Sequence, residues 1–327
     1  MGKFKSNKKK VSSLILLLIL SIVMLGTTTY AWFTANQVVT INSINVKVEA
    51  SNGLQISTNA NQWKSVLTNA DISAGYTGHA NQLPANVTNV STDGKVNQST
   101  GRLNMYKAVV GNDASTGDYN ISTSLETDTA GSEGNYIAFD VFLRVDTAQT
   151  IYLTSDSNVS AKEGTEDRGL KNSARIAFVK LGQGASTDPV NTLTGLDNAV
   201  AANAIIWEPN IDAHSQMVTD TVAPEYGVTL VADSNTPYYG VNKAISPAVN
   251  LKNLVNGTNT TDATLVTPSI LTKANNSTYK EAFNLPVGVT KMRIYMWIEG
   301  QDIDCENNAT GSDIVFDLQL STQSSGA

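Results

Sequence analysis

The sequence predicts an all-β protein, a jelly-roll-like β-sandwich with long loop insertions and a few short helices. Apolar and polar residues alternate in several short segments, which is typical of strands with one buried face. Turns rich in Gly, Asn and Pro separate these segments, and a helical periodicity is nearly absent. The strong strands extend from residue 38 to residue 320. We therefore expect residues 49–327 to form one elaborated sandwich domain rather than two domains.

The first predicted strand spans residues 38–49 and consists of two alternating halves of opposite parity. A β-bulge near Asn42–Ser43 would turn the apolar side chains of both halves to the same face of a sheet. These apolar residues are Val39, Ile41, Ile44, Val46 and Val48. The segment is thus predicted to lie half-buried against a core.

Three later segments carry the clearest strand patterns, at residues 136–145, 291–299 and 313–320. Residues 69–117 are instead rich in Gly, Asn, Thr and Ser, so we expect long loops there around at most two short strands. Residues 212–269 contain four prolines and are expected to form a second loop-rich insertion.

The first 31 residues have the layout of a secretory signal peptide. Five lysines precede an aliphatic run at Leu14–Leu25, and small residues follow it. Because the run is shorter than the ~20 residues of a membrane-spanning helix, we expect cleavage by a signal peptidase between Ala31 and Trp32. The protein is then secreted to the extracellular matrix or cell surface. The alternative is an uncleaved anchor, which would be the chain's only contact with a membrane.

Composition excludes one class of partner and limits covalent cross-linking by cysteine. The net charge of −7 and the isoelectric point near 4.9 argue against nucleic-acid binding, which needs a basic face. The single cysteine, Cys305, has no partner for an intramolecular disulfide. We expect it to be a small buried side chain rather than a reactive thiol or an intermolecular disulfide.

The sequence contains no recognisable catalytic motif. Its two histidines, His79 and His214, lie in loop-like surroundings, and neither a His-Glu-x-x-His nor a Gly-x-Ser-x-Gly motif occurs. We therefore expect no catalytic residues, no enzymatic activity and no organic cofactor.

An acidic turn near the C-terminus is the one candidate metal site. Asp302, Asp304 and Glu306, flanked by Glu299 and Asp313, offer carboxylate oxygens of the kind that calcium prefers. The spacing does not fit an EF-hand loop. The alternative interpretation is a solvated acidic turn between two strands.

The junction at Tyr30–Thr34 (YAWFT), followed by a Val/Ile-rich strand, resembles that of Gram-positive proteins processed by the SipW-type signal peptidase, the TasA/camelysin family. Residues 296–305 (MWIEGQDIDC) are similar to a passage of secreted Firmicute proteins with this kind of signal. The resemblance implies a fibre subunit that assembles by donor-strand exchange through residues 32–48. The metallopeptidase activity described for camelysin is not carried over, because no matching zinc motif is present.

Elementary physics supports the same assembly mode. A β-prone segment directly after a cleavage site can add to an exposed strand edge of the next copy, and head-to-tail addition builds a filament. The partner would be the chain itself or a related secreted subunit. The residues predicted to carry assembly are Trp32, Phe33, Val39, Ile41, Ile44, Val46 and Val48.

Besides an extracellular hydrolase with a distributed Ser/Asp/His site, two alternatives remain open at this point. In the first, residues 32–48 pair within their own sheet. In the second, the protein is a monomeric surface-binding module for glycans or host surfaces, which would use the loops at 69–117 and 212–269. Aromatic residues, among them Trp63, Trp207 and Trp297, would be candidates for stacking on sugars, although aromatics in sandwiches are more often core residues.

Overall fold

A computed structural model describes residues 38–49, 53–112, 115, 119–167, 169–211, 240–241, 249–250, 265–266, 270–271, 273–300, 302, 305 and 313–326. The first ten strands are β1 (Val39–Val48), β2 (Gln55–Ser57), β3 (Val66–Leu67), β4 (Asn86–Val87), β5 (Asn89–Asn97), β6 (Arg102–Asn112), β7 (Tyr119–Glu126), β8 (Ile137–Val145), β9 (Gln149–Leu153) and β10 (Asn158–Ala161). The others are β11 (Ala174–Gly184), β12 (Ile205–Trp207), β13 (Gly240–Val241), β14 (Val249–Asn250), β15 (Leu265–Val266), β16 (Ile270–Leu271), β17 (Lys280–Leu285), β18 (Gly288–Glu299) and β19 (Asp313–Ser321). Two short α-helices, α1 (Asn69–Ala74) and α2 (Val190–Thr194), and a 3-10 helix at Leu170–Ser173 complete the described elements.

The strands form two sheets that pack face to face, which confirms the predicted all-β sandwich. The front sheet has the order β17-β9-β19-β1-β3, with β10 also paired to β19 and β4 to β1. The back sheet centres on β18, which pairs with β8 on one side and β11 on the other. Strands β2, β12 and β16 extend it. The strands β13 and β15 form a separate pair.

The main core lies between the two sheets and consists of their facing apolar side chains. On β19 these are the alternate residues Ile314, Phe316, Leu318 and Leu320. On β8 they are Phe139, Val141, Leu143 and Val145. Both sets match the faces that the alternation of residues predicts.

A β-meander of β5, β6 and β7 covers the other side of the back sheet. It joins the sheet through a short parallel pairing of β5 with the end of β18. Its apolar residues form a second core with the outward side chains of β18 and β11, including Met105, Leu103, Tyr295 and Val179. The back sheet is therefore covered on both faces.

This meander departs from the sequence prediction of loops at residues 69–117. The segment contains α1 and three strands: β4, of 2 residues, and the longer β5 and β6, of 9 and 11 residues. Polar side chains on β5 are buried because hydrogen bonds satisfy them, as in the bond from the Thr92 hydroxyl to the Asn104 carbonyl at 2.6 Å. Of the second predicted insertion, residues 212–269, the structure describes only β13, β14 and β15.

Candidate functional site

Strand β1 lies in the middle of the front sheet, parallel to β19. The two strands pair from Thr40 with Asp313 to Val48 with Leu320, and the register shifts between Ile41 and Ser43. This shift is the predicted β-bulge. It confirms that one extra residue reconciles the two halves of the strand.

The bulge brings the apolar side chains of β1 into one core. Ile41 is half-buried and packs against this core. The fully buried residues are Val39, Ile44, Val46 and Val48. The structure thus places these five predicted assembly residues together on the inner face of their own sheet, and Trp32, Phe33 and the Ala31–Trp32 cleavage site lie outside the described residues.

The opposite edge of β1 carries only short partners. Strand β3 pairs with Val46 and Lys47, and β4 pairs with Val39 and Thr40; each of these partner strands has 2 residues. Between them, the Ile44 amide donates to the Asn69 side-chain oxygen at 2.7 Å and the Ile41 amide donates to the Ala85 carbonyl at 3.1 Å. The long backbone ladder of β1 is therefore the one with β19.

A short connection leads from β1 into the other sheet. Glu49 still donates its amide to the Leu320 carbonyl at 2.9 Å, and β2 then begins at Gln55 in the back sheet. Gly53 in this connection has φ of 78°, a left-handed conformation that glycine adopts without steric cost. Only residues 49–54 therefore join β1 to the rest of the chain on its C-terminal side.

The back sheet contains a buried ionic cluster that we call the arginine cluster, formed by Arg293, Lys291, Asp140 and Asp128. The Arg293 guanidinium contacts Asp128 at 2.7 Å and Asp140 at 2.8 Å, and it donates to the Ala80 carbonyl at 2.6 Å. Lys291 lies 3.4 Å from Asp140 and donates to the Thr194 carbonyl at 2.9 Å. The side chains of these four residues are at most 3% exposed.

Three tyrosines donate to the carboxylates of this cluster. Tyr136 and Tyr295 donate to Asp128 at 2.7 and 3.0 Å, and Tyr76 donates to Asp140 at 2.6 Å. Burial, reinforced by the neighbouring carboxylates, raises the pKa of all three phenols, which therefore remain protonated donors. Burial by itself would raise the pKa of Asp140, but the nearby cations outweigh it and lower this pKa.

A second buried cluster includes part of the predicted calcium site. Arg175 forms ion pairs with Glu208, at 2.7 Å, and with Asp302. Glu299 accepts a hydrogen bond from the Trp297 indole at 3.1 Å. Burial alone would lower the pKa of Arg175, but these three acids outweigh it and raise this pKa, so the guanidinium stays charged.

An arginine cation thus contacts Asp302 where the sequence suggested calcium. Asp304 and Glu306 lie outside the described residues, and Asp313 begins β19 in pairing with β1. Within the described ranges, no three His, Cys, Asp or Glu side chains are grouped so as to hold a metal ion. Calcium binding by the full acidic turn stays a prediction.

The aromatic candidates for sugar stacking separate into core and surface residues. Trp207 and Trp297 are fully buried, which confirms the expectation that sandwich aromatics pack in cores. Trp63 is half-buried, and the Arg144 guanidinium lies 4.4 Å from the centre of its ring. His79 is half-buried beside Tyr76, whereas His214 lies outside the described residues. Cys305 is buried in the main core, as predicted.

The arginine cluster is the main feature that sequence reasoning missed. Lys291, Arg293 and Tyr295 alternate with apolar residues along β18, and charged residues in such a pattern ordinarily mark a solvent face. Tyr295, the third residue of this series, is aromatic. It was the signal in the sequence that another layer covers this face. Deriving the cluster also required the positions of Asp128 and Asp140, which only the fold supplies.

No protein-family model, curated protein or solved structure matches the chain. In the described part of the chain, no helix is both long and apolar enough to cross a membrane.

Proposed function

We propose that the chain is a secreted structural protein that assembles into extracellular or biofilm-matrix fibres by exchanging its N-terminal strand between copies. The partner is another copy or a related secreted subunit, and the protein acts without catalysis. The exchanged segment is residues 32–48, of which β1 is the described part.

The observation that carries this proposal is the asymmetry of the contacts of β1. Its long continuous ladder runs along β19, at the far end of the sequence. Its other edge pairs with the two-residue strands β3 and β4 and otherwise makes single hydrogen bonds to Ser65, Asn69 and Ala85. A strand held in this way can leave its own sheet if the backbone of the connection at residues 49–54 changes conformation. Its departure would expose the β19 edge and open a groove lined by the core.

The same strand from a second copy fits that groove, because every contact of β1 can be reproduced between chains. The buried side chains of β1 are apolar, and its one charged residue, Lys47, is exposed, so exchange buries no unpaired charge. When each copy donates its β1 to the next copy, every groove is filled except that of the copy at one end of the assembly. Head-to-tail exchange therefore grows a filament rather than a closed dimer.

Cross-linking with cysteines distinguishes exchange between copies from pairing within one chain. Asn45 and Asp317 are register partners, and their side chains are joined by a hydrogen bond of 2.8 Å. Neighbouring strands bring Cα atoms within the separation that a disulfide allows. In a Cys305→Ala background, one isotope-labelled chain carries Asn45→Cys and an unlabelled chain carries Asp317→Cys.

After the two chains are mixed, unfolded and refolded together, and oxidised, we expect a disulfide between labelled and unlabelled chains, together with filaments by electron microscopy. All chains begin at Trp32. The control is a mixture of Lys47→Cys and Asp313→Cys chains, which should not cross-link because these two positions are out of register. The double variant Asn45→Cys/Asp317→Cys reports pairing within one chain. If only the double variant cross-links and all forms stay monomeric, the assembly proposal fails and the surface-binding alternative is favoured.

A further inference from the structure

Four polar side chains meet where the meander joins the back sheet, and none of them belongs to the clusters described above. Lys107 lies on β6, Glu126 ends β7, Asn135 precedes β8 and Thr88 precedes β5. On the β6–β7 hairpin, Met105 is opposite Glu126. Lys107 is therefore the diagonal neighbour of Glu126 on the same face of the hairpin, within reach for long side chains.

The carboxamide of Asn135 is the centre of this group. Its nitrogen donates to both oxygens of Glu126, at 2.8 and 2.6 Å. Its oxygen accepts from the Thr88 hydroxyl at 2.6 Å and from the Lys107 ammonium at 3.4 Å. The charges fix this orientation of the amide, because an ammonium only donates and a carboxylate only accepts.

These positions bring together the chemical groups needed for transamidation, in which an amine replaces the nitrogen of a carboxamide. An amine lies beside a carboxamide, and a hydroxyl donor contacts the oxygen on which negative charge develops during attack. A carboxylate contacts the nitrogen that would leave, where proton transfer is needed. Lys107, Glu126 and Asn135 are each half-buried, so water can reach the site while the geometry is held by the fold.

We propose that Lys107 and Asn135 form an intramolecular isopeptide bond. Lys107 loses a proton to solvent, and the lone pair of its Nζ forms a bond to Cγ of Asn135, while Thr88 donates to the resulting oxyanion. Glu126 carries a proton from the attached Nζ to Nδ2. The Cγ–Nδ2 bond then breaks and ammonia leaves, so that one amine and one carboxamide give one secondary amide and one ammonia.

The bond ties the meander to the segment that leads into β8. Apart from the main chain at residues 127–136, the described connections between these parts are a short strand pairing, an ion pair between Arg102 and Asp128 at 3.2 Å, packing and hydrogen bonds. A covalent link there prevents the meander from separating from the back sheet under force or during local unfolding. The inference does not depend on strand exchange, since none of the four residues belongs to β1 or to β3 and β4, which pair with it.

Mass spectrometry of the denatured wild-type chain tests the bond directly. We expect most molecules to be lighter by one ammonia. Trypsin should leave Lys107 uncut and release residues 103–144 as one peptide lacking ammonia. A second protease that cuts near Tyr119 should give two pieces that remain joined. A wild-type chain with the full mass of its residues overturns the proposal, whatever the variants do.

Variants separate this bond from succinimide formation at Asn135, which also releases ammonia. Lys107→Arg should restore the full mass, and Asn135→Asp should lose water instead of ammonia. Glu126→Gln should slow linkage on the order of a hundredfold, the usual effect of losing a general acid-base group. Lys95→Arg, an exposed change on neighbouring β5, is the control that keeps the wild-type mass loss. Ammonia loss that persists in Lys107→Arg, or linkage at an unchanged rate in Glu126→Gln, contradicts the assigned roles.

Discussion

The front and back sheets both contribute to the core between them but differ in what lies on their other faces. On β19 buried residues alternate with partly exposed ones, so its outer side chains face solvent. On β18 every residue is buried, because the meander and the loops cover the outer face. Among the described residues, the front sheet is covered on one side and the back sheet on both.

This difference bears on the proposed strand exchange. A strand of the front sheet contributes backbone hydrogen bonds and apolar side chains, which an identical strand replaces completely. The outer face of the back sheet carries the arginine cluster, and separating its members leaves charges buried without partners, at a cost of several kcal/mol. In the proposed exchange, the back sheet is therefore the fixed scaffold, and the front sheet is the part from which a strand moves between copies.

The largest expected effect comes from breaking the arginine cluster. Arg293→Met leaves Asp128 without its closest cation and Asp140 with only Lys291. We expect the free energy of unfolding to fall by about 3–5 kcal/mol, the cost of breaking a buried ion pair. Denaturant titration followed by circular dichroism measures the loss.

Arg144→Met is the matched control on the same face of the back sheet. Arg144 is half-exposed, hydrogen-bonds Gln55 and contacts the Trp63 ring, so its loss should cost about 1 kcal/mol or less. Equal losses in the two arginine variants would mean that burial of an arginine on this face does not increase the cost of removing it. Burial of charge would then not distinguish the two sheets.

A smaller effect is expected from the core side of the front sheet. Leu318→Ala removes a buried side chain of β19 opposite Val46 and should lower the free energy of unfolding by about 3 kcal/mol. Val315→Ala, on the partly exposed outer face of the same strand, should cost less than about 1 kcal/mol. Similar losses in both, by the same titration, would show that another layer covers the front sheet.

The sequence predicted β1, β8 and β19 well, because apolar and polar residues alternate along a strand whose two faces differ. The bulge in β1 was predicted because Ile41 and Ile44 are both apolar but lie at positions of opposite parity. The same rule failed for the outer face of β18, since Lys291 and Arg293 are buried by partners distant in sequence. It failed again for β5, where the polar side chain of Thr92 is buried and donates a hydrogen bond to the Asn104 carbonyl.

The candidate assembly strand was predictable, but its neighbour was not. The apolar pattern of β1 depends on nearby residues, whereas its pairing with β19 joins residues about 270 positions apart. No local signal specifies such a pairing, and its parallel direction has no turn to mark it. Likewise, the sequence suggested calcium for Asp302 because Arg175, its actual ionic contact, lies 127 residues away.

The smallest effect expected is a dependence on acid that belongs to the back sheet. Burial alone would raise the pKa of Asp140, but Arg293 and Lys291 outweigh it and hold this pKa below its ordinary value of 3.8. Its contribution to stability is therefore complete above pH 3.8 and is lost as the pH falls through the lower folded-state pKa, because the unfolded chain then binds more protons. Measured between about pH 5 and about pH 3, the free energy of unfolding should fall less steeply in Asp140→Asn than in the wild type. Asp146→Asn, at an exposed position directly after β8, should keep the wild-type slope. A slope that is unchanged in Asp140→Asn would show that the acid-sensitive carboxylates lie elsewhere than at Asp140.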